Sequence, residues 1–548
     1  MLPPPEFRGE FRDDVRARAA YAEAAGIYRI LPAAVAVPAD PADLPALVRW
    51  AAERGTTLVP RGAGSAMGGG NVGDGVVVDL TRLPLRIALR PEERVAVTSA
   101  GATLSDLNGA ADLHGLRLPP DPSSGRWATL GGMLSTNAAG ARSVRYGSVR
   151  RWVRAVELVT GDGDAVTLRR GEPAPPCGAL ARFAADAAPA IREAAETIAR
   201  RFPRTRKNSS GYALDAFLAS GDVLDLVIGA EGTLGFVTGI EWRLDPVPPH
   251  RAGLRLGLRS LDDLVPVVAA LLHHDPSAVE LLDRTFLDLV QDADAAAGLG
   301  EAEAVLLVEI ERADPDSLAL SVRGAADAVR GRAASVESAL SVRAAERLWA
   351  LRHAASPILA SLPDQRRSLQ VIEDACLPVE RMGEYIRTVR RVAAAQGIPA
   401  VVFGHAGDGH VHVNLLPEVS RRGWERAVAA VLEEVSEAVI RLGGTPSGEH
   451  GDGRLRAGLL SRLYGEEIME LFRRVKRSFD PLGILAPGVI LPSAEPPIGR
   501  LKVGDGAAAL PDDIARALRE IERSGGYARS RMEIAGPAPA APARSQTL

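Results

Sequence analysis

Four of the nine histidines of this chain fall between residues 405 and 450, in the segments FGHAGDGHVHVNLL and PSGEHGDG. In a β-strand the side chains at positions i, i+2 and i+4 share one face, so His410, His412 and Asn414 are expected to project together. Imidazole and carboxylate ligands together suit Zn²⁺, Mn²⁺ or Fe²⁺. Because the Glu-His pair at 449–450 follows between glycines, the pattern predicts a catalytic or metal-binding site here.

Three stretches rich in glycine precede this cluster. The segment PRGAGSAMGGGNVGDG (60–75) follows a predicted strand, and its glycines allow backbone N–H groups to turn inward and cradle phosphate oxygens. Residues 119–148 are small and polar, which is typical of a segment packed against a large flat ligand. The run LDLVIGAEGTLGFVTGIEWRL (224–244) is predicted as a strand with a glycine interruption, a sign of close backbone or ligand approach. None of the three is a Rossmann fingerprint or a P-loop.

Composition excludes several classes of protein. The 548 residues have a net charge of −4, whereas a nucleic-acid-binding domain should show a basic excess. Two cysteines, Cys177 and Cys376, cannot hold a four-thiolate iron–sulfur cluster or a disulfide framework. We find no secretory signal and no run of roughly 18 apolar residues that could span a bilayer, so we expect no transmembrane segment.

The order of predicted elements indicates an α+β protein with several domains. An N-terminal arm (1–33) precedes short strands, a hairpin and helices over 34–246. Strand-like runs alternate with helical stretches over 247–446 and predict an antiparallel sheet. A C-terminal return (447–493) contains an amphipathic helix. The tail (494–548) is predicted to form one short helix and to be disordered at its end.

The three glycine-rich stretches, in this order and spacing, resemble the FAD-binding domain of the vanillyl-alcohol oxidase (PCMH-type) flavoprotein superfamily. The resemblance implies a two-subdomain FAD-binding domain whose first loop wraps the FAD pyrophosphate. Neither of the first two stretches contains histidine, so we expect FAD to be held non-covalently. The implied cofactor contacts are Arg61, Gly62, Ala63, Gly64, Ser65, Ala66, Gly68, Pro122, Ser123, Gly131, Gly132, Ser135, Thr136, Asn137, Gly140, Ser143, Tyr146, Glu231, Gly232 and Val237.

The C-terminal half resembles the FAD-linked oxidase domain of D-lactate dehydrogenases, glycolate oxidase and D-2-hydroxyglutarate dehydrogenases. The whole resemblance runs from about residue 28 to 491 and includes the ending RVKRSFDPLGILAPGVI. It implies an antiparallel-sheet substrate (cap) domain and a C-terminal helical return to the flavin site. The implied site residues are the metal ligands His405, His412 and Glu449, the catalytic base His450, the substrate-contacting Asn414, and Arg352, which grips the substrate carboxylate.

This resemblance implies oxidation of a D-2-hydroxy acid to the 2-oxo acid. A divalent metal (Zn²⁺, Mn²⁺ or Fe²⁺) would bind the 2-hydroxyl and lower its pKa. His450 would remove that proton while the C2 hydrogen leaves as hydride to flavin N5. A histidine base suits neutral pH because the unperturbed pKa of histidine is about 6.5.

Three departures from the family pattern affect these expectations. His410 stands where relatives often have Asn, and it is either a further ligand or a residue at the rim. The ending APGV (486–489) replaces NPGK, which leaves the flavin contacts of that Asn and Lys without a counterpart. Ile372 replaces a lysine of the D-2-hydroxyglutarate dehydrogenases, which disfavours a substrate with a second carboxylate.

Two other functions remain open at this stage. A non-redox FAD enzyme like the ether-lipid synthases shares the fold, but the Glu449-His450 pair and Arg352 favour a dehydrogenase. A non-catalytic flavin subunit of a larger complex should lack the histidine cluster. The segments EDACLP and SGEHGDGRLR resemble family members that are fused to iron–sulfur domains, and the cysteines of those domains are missing from this sequence. We therefore expect a separate iron–sulfur or other electron-carrier subunit. We also expect a homo-oligomer, in the cytoplasm or peripheral to the membrane.

Overall fold

The computed structural model describes residues 1–289, 300, 302–353 and 355–538. Its strands form three large sheets and a two-stranded one, with helices between them, which confirms the predicted α+β class. Among the described helices, none combines the length and the apolar character needed to cross a bilayer.

The N-terminal subdomain is a four-stranded sheet built on the predicted strand–helix–strand unit. Its last three strands run parallel, and their valines are buried, as expected for parallel strands covered on both faces. The connecting helix Asp43–Arg54 ends at Gly55, whose φ of 61° provides a left-handed C-cap. In spatial order the strands are Glu10–Arg12, Ala34–Val37, Val76–Asp79 and Leu58–Arg61.

The second subdomain is a five-stranded antiparallel sheet. Its edge hairpin was predicted from the alternating runs around Gly-Asp-Gly, and that prediction is confirmed. The predicted strand over 224–244 is wrong in its first half, where Leu224–Val227 is a helix and only Phe236–Arg243 is a strand. A short apolar run fits either element, and the intervening glycines adopt positive φ. In spatial order the strands are Ile87–Arg90, Val95–Ser99, Phe236–Arg243, Val153–Val159 and Ala165–Arg169.

The cap domain is the predicted antiparallel sheet, with seven strands. Along the interior strand Ala304–Arg312, side chains alternate between two faces. Leu306 and Val308 enter a core with the helices, and Val305 and Leu307 enter a second core on the opposite face. The covering helices are Leu264–Leu272, Pro315–Val329, Met382–Ala395 and Trp424–Arg441. In spatial order the strands are Ser335–Ala339, His250–Leu258, Ala304–Arg312, Ala278–Asp283, Ala400–His405, His410–Leu415 and Ala375–Cys376.

After the cap domain the chain returns to the second subdomain through the helix Glu466–Phe479. This helix buries Phe472, Val475 and Phe479 in that subdomain's core, which confirms the predicted helical return. The tail contains the predicted helix, Asp512–Ser524, and a further helix, Arg531–Ala535. The disorder predicted for the end of the tail falls mostly on residues 539–548, outside the described residues.

The remaining described elements are one small sheet, further helices and 3₁₀ turns. The two-stranded sheet pairs Leu116–Arg117 with Asp245–Pro246. The further helices are Val15–Ala20, Leu104–Asp112, Leu130–Ser135, Ser143–Tyr146, Gly178–Arg182, Phe183–Ala187, Ala188–Glu193, Ala195–Arg201, Leu214–Ser220, Arg284–Leu287, Val342–His353, Ala355–Ser361, Gly453–Arg456 and Leu460–Tyr464, with 3₁₀ turns at Pro91–Glu93, Val149–Arg151, Asp364–Arg366, Val379–Arg381, Ala406–Asp408 and Ala457–Leu459.

Candidate active site

A cavity of about 1230 Å³ lies between the glycine-rich loops, the cap sheet and the C-terminal return. Typical small-molecule pockets measure about 300–1,000 Å³, so this cavity has room for a dinucleotide and a small substrate together. All residues that the sequence predicts as metal ligands or catalytic groups line it. They are His405, His412, Glu449, His450, Arg352 and Asn414.

Two strands of the cap sheet and the loop after it bring His405, His412 and Glu449 together. The strands Ala400–His405 and His410–Leu415 form a tight hairpin, so the two histidines lie on adjacent strands. His405 Nε2 lies 3.2 Å from His412 Nε2 and 3.2 Å from Glu449 Oε1. His412 Nε2 lies 3.6 Å from the same carboxylate oxygen. We call these three residues the histidine–glutamate trio.

Hydrogen bonds behind the trio assign the histidine tautomers. His405 Nδ1 lies 2.6 Å from Glu280 Oε1, and His412 Nδ1 lies 2.8 Å from the Glu373 carbonyl oxygen. Each Nδ1 is therefore assigned the proton that it donates. Burial lowers the pKa of His405, but Glu280 and Glu449 raise it above its usual value, so His405 Nε2 donates to Glu449 Oε1 and becomes a ligand once it is deprotonated. Burial and the neighbouring imidazoles His410 and His405 lower the pKa of His412 well below its usual range, which keeps that ring neutral.

The trio fits a divalent metal ion by both chemistry and spacing. Donor atoms about 2.1 Å from a metal at angles of about 90–110° lie about 3.0–3.4 Å apart, close to the separations within the trio. The Glu280 carboxylate behind His405 is the outer-shell partner that metal-bound histidines commonly have. The ring of His410 is fully buried and engaged, with Nε2 2.9 Å from Asp374 Oδ1 and Nδ1 3.3 Å from Lys207 Nζ. His410 therefore supports the trio from behind.

His450 lies next to the trio and faces the cavity. Its Nδ1 lies 2.6 Å from Glu373 Oε2, so Nε2 is the free nitrogen, 3.8 Å from Glu449 Oε1. The ring stacks on His412 with centroids 5.4 Å apart and keeps 27% of its side chain exposed. Burial lowers the pKa of His450, but the carboxylates of Glu373 and Asp374 outweigh it and raise that pKa to about 10. The sequence-based expectation of an ordinary histidine pKa does not hold among these charges.

Asp374 fixes the loop that carries Glu449 and His450. It accepts hydrogen bonds from the backbone N–H groups of both residues and, at 2.6 Å, from the Ser447 hydroxyl. Burial raises the pKa of this carboxyl, but the adjacent His450 and His410 hold it well below its usual range. Asp374 is therefore an ionised anchor under the loop.

Arg352 presents a partly free guanidinium to the same cavity. Its Nε donates to Glu280 Oε2 at 2.8 Å, and the group lies over the Phe403 ring. Its terminal nitrogens have no partner among the described residues, so they can bind a carboxylate in the two-pronged geometry that arginine favours. Nearby, the Ser368 hydroxyl donates to Asn414 Oδ1 at 2.8 Å, which turns the amide N–H₂ of Asn414 toward the cavity as a donor.

Two family models match this chain in succession. The model described as "FAD binding domain" matches residues 32–169, and the model described as "FAD linked oxidases, C-terminal domain" matches residues 247–490. The chain belongs to the FAD-linked oxidases. This FAD-linked oxidase is thus an oxidoreductase of the family that includes D-lactate, glycolate and D-2-hydroxyglutarate dehydrogenases.

Curated relatives of this FAD-linked oxidase have related names. A D-lactate dehydrogenase of Archaeoglobus fulgidus is 29% identical over 461 residues, which cover 83% of this chain and 91% of the relative. The glycolate oxidase subunit GlcD of Bacillus subtilis is 29% identical over 488 residues, or 87% of this chain and 93% of the relative. A D-2-hydroxyglutarate dehydrogenase of Pseudomonas putida is 30% identical over 88% of this chain, which spans only 50% of that longer protein.

A solved structure shares the fold. An alkyldihydroxyacetonephosphate synthase superposes with a TM-score of 0.61 at 15% identity, covering 87% of this chain and 83% of the other. At that identity the likeness concerns the fold alone.

Most of the predicted cofactor residues line the cavity. The two glycine-rich loops meet at Gly62, where a Cβ atom would lie 2.3 Å from Thr129 Oγ1, so a larger residue would displace the Thr129 side chain. The guanidinium of Arg61 holds the first loop from beneath by donating to the Glu23 carbonyl oxygen at 2.8 Å. The predicted residues in the wall are Arg61, Gly62, Ala63, Gly64, Ser65, Ala66, Pro122, Ser123, Gly131, Gly132, Ser135, Thr136, Glu231, Gly232 and Val237.

Five predicted cofactor residues do not line the cavity. The carbonyl oxygen of Gly68 accepts from the backbone of the C-terminal return, and Asn137 Oδ1 accepts from the Arg150 N–H at 3.3 Å. The Gly140 N–H donates to Glu449 Oε2 at 2.8 Å, which ties the second loop to the trio. The other two residues bind carboxylates of the cap domain. The Ser143 hydroxyl donates to Asp408, and the Tyr146 hydroxyl donates to Glu311.

Sequence reasoning missed the charged residues that surround the trio. Glu280 lies in the apolar run AVELLD, and Glu373 and Asp374 lie in VIEDACL, where buried carboxylates are unusual enough to be a signal. Lys207 is one of only three lysines in the chain. It is buried, and its Nζ donates to Glu449 Oε2 at 2.8 Å. Burial lowers the pKa of Lys207, but Glu449 and Asp408 raise it above its usual range.

Replacing Lys207 with methionine should destabilise the metal-free protein by about 3–5 kcal/mol, because it leaves the Glu449 carboxylate buried without its partner charge. Chemical denaturation of chelator-treated protein measures this loss. Arg200→Met, at an exposed arginine, is the matched control and should change the free energy of unfolding by about 0.5 kcal/mol or less. Equal stability of the Lys207 variant and the control would contradict this account of the buried pair.

Proposed function

We propose that this FAD-linked oxidase oxidises a D-2-hydroxy acid with one carboxylate to the 2-oxo acid, with His450 as base and a divalent metal at the histidine–glutamate trio. The observation that carries the proposal is the convergence of three possible ligand atoms, from His405, His412 and Glu449, beside Nε2 of His450. The D configuration comes from the names of the relatives.

The residues of the site divide the work of binding and proton transfer. Arg352 binds the substrate carboxylate, and Asn414 donates to a substrate oxygen. His450 Nε2 accepts the proton of the 2-hydroxyl, and Glu373 stabilises the resulting imidazolium through Nδ1. FAD, when bound in the cavity, supplies the acceptor for the hydride that leaves C2.

A bound metal would also change the protonation of His450. A base with a pKa near 10 holds its proton at neutral pH, and the carboxylates around it cause that rise. A divalent cation at His405, His412 and Glu449 would oppose those carboxylates and favour the neutral imidazole. A cation held by these residues would supply Lewis acidity toward the substrate hydroxyl. Metal and base are therefore parts of one proposal.

The charges of the cavity support a monocarboxylate substrate. Arg142 and Arg251 line the cavity, but Arg142 is paired with Asp121 and Glu309, and Arg251 lies 3.6 Å from Glu309. A lysine of the D-2-hydroxyglutarate dehydrogenases is replaced by Ile372 in this chain. The Ile372 side chain is buried in an apolar core. Both arginines are therefore already paired with carboxylates, which disfavours a second substrate carboxylate beside them.

We expect kcat/KM to be at least about tenfold higher for D-2-hydroxypentanoate than for D-2-hydroxyglutarate, which equals about 1.4 kcal/mol of transition-state binding. The two acids have the same number of carbons, so the pair separates charge from length. Steady-state assays with an artificial electron acceptor measure the ratio, with the L isomers as controls. A preference for D-2-hydroxyglutarate would contradict the monocarboxylate assignment, and a lack of turnover with the whole panel, including D-lactate and glycolate, would contradict the proposed function.

The electron acceptor and the assembly are further parts of the proposal. One relative is named as a subunit of glycolate oxidase, which supports a separate electron-carrier subunit for this chain. The two cysteines of this chain lie apart and cannot carry an iron–sulfur cluster themselves. We propose a homo-oligomer as well, which light scattering of the purified protein would test. A non-redox function like that of the synthase neighbour has no support beyond the shared fold.

A further inference from the structure

Residues 511–535, here named the C-terminal segment, lie beyond the last residue that either family model matches, residue 490. Their two helices pack on the N-terminal subdomain. The segment contributes an apolar face to a core that also contains Tyr21 and valines of the parallel strands. The segment residues buried in this core are Ile514, Leu518, Ile521, Met532, Ile534 and Ala535.

Polar contacts tie the same segment to the cap domain. Arg519 Nε donates to Asp364 Oδ1 at 2.8 Å, and its Nη2 donates to the Leu362 carbonyl oxygen at 2.8 Å. Glu522 pairs with Arg367 and lies 3.2 Å from Lys502 Nζ. The segment therefore bridges the FAD-binding and cap domains across the cavity.

One end of the segment forms part of the cavity wall. Tyr527 packs on Trp127 of the second glycine-rich stretch, with ring centroids 6.0 Å apart and planes tilted by 31°. Gly525 ends the helix at φ 67°, and a Cβ atom there would lie 2.9 Å from the Trp127 ring, so glycine permits this contact. The segment residues in the wall are Arg519, Glu522, Arg523, Ser524, Gly525 and Tyr527.

We propose that the C-terminal segment is a cofactor-binding element that completes the wall of the FAD site and slows the release of FAD. The inference rests on the proposed placement of FAD in this cavity. A ligand that fills the cavity contacts the segment, the loop containing Trp127 and the cap domain at once. Release of FAD then requires the segment to separate from Trp127, and bound FAD in turn holds the segment in place.

The test uses the full chain with single substitutions. Tyr527→Ala removes the aromatic contact with Trp127. Arg516→Ala, at an exposed residue of the helix Asp512–Ser524 in the same segment, is the matched control. FAD is titrated into each apoprotein and binding is followed by flavin fluorescence. We expect the Kd for FAD to rise at least fivefold in Tyr527→Ala and to stay within twofold of wild type in Arg516→Ala.

A second measurement keeps the inference independent of folding defects. We expect limited proteolysis to cut wild-type apoprotein within the C-terminal segment, and saturating FAD to slow that cleavage at least fivefold. Equal FAD affinity of Tyr527→Ala and Arg516→Ala, or cleavage that FAD does not slow, would overturn this inference and leave the proposed function intact. Failure of the wild-type apoprotein to bind FAD at all would overturn both.

Discussion

Replacing His450 with alanine should leave a yellow, FAD-containing protein whose flavin the 2-hydroxy acid reduces about 10²–10⁴ times more slowly than in wild type. The substitution removes the imidazole whose Nε2 faces the cavity, 3.8 Å from Glu449 Oε1. The glycine-rich loops lie on other elements, so FAD should stay bound. Anaerobic stopped-flow absorbance at the flavin band measures the rate of reduction.

His273→Ala is the matched control for this substitution because His273 is an exposed histidine just after the cap-domain helix Leu264–Leu272. Its flavin should be reduced at the wild-type rate. If His450→Ala reduces its flavin as fast as the control does, then His450 is not the base. If His450→Ala loses FAD, then His450 is not independent of the glycine-rich loops that hold FAD.

Replacing His412 with alanine should remove the bound divalent metal and slow flavin reduction by about 10³-fold. His412 is one of the three proposed metal ligands, and the other two, His405 and Glu449, would hold a metal only weakly. A Lewis acid at a developing alkoxide contributes several kcal/mol, and about 4 kcal/mol corresponds to that factor. Elemental analysis of purified protein measures the metal, and the stopped-flow assay measures the rate.

His410→Asn is the matched control for the metal site. His410 lies two residues before His412 on the same strand, and its two ring nitrogens contact Asp374 and Lys207. This variant should keep about one metal ion per chain. Loss of metal in the His410 variant would show that the ligand set includes His410. A full complement of metal in His412→Ala would contradict the trio.

The fold was largely predictable from the sequence because its strongest patterns are local. The strand–helix–strand unit at 34–61 and the helix Asp512–Ser524 follow from periodicity and glycine stop signals. The structure of the run at 224–235 was not predictable, because a short buried helix and a buried strand are equally apolar. The packing of the C-terminal segment also escaped prediction, since no local signal tells an amphipathic helix which surface it will cover.

The candidate site was predictable where residue type and family resemblance coincide. His405, His412, Glu449 and His450 meet in one place, as the spacing and the resemblance suggested. Their buried partners could not be predicted from sequence, because they come from distant segments: Glu280 lies 125 residues before His405. Such long-range contacts depend on the tertiary fold.

Anaerobic reduction of the bound flavin by D-lactate, in metal-loaded and chelator-treated protein, tests the central claim most directly. The account predicts that D-lactate bleaches the flavin of metal-loaded wild type. Chelation should slow bleaching by at least about 100-fold, and restored metal should recover it. Bleaching at the same rate in chelated, metal-free protein would contradict the account.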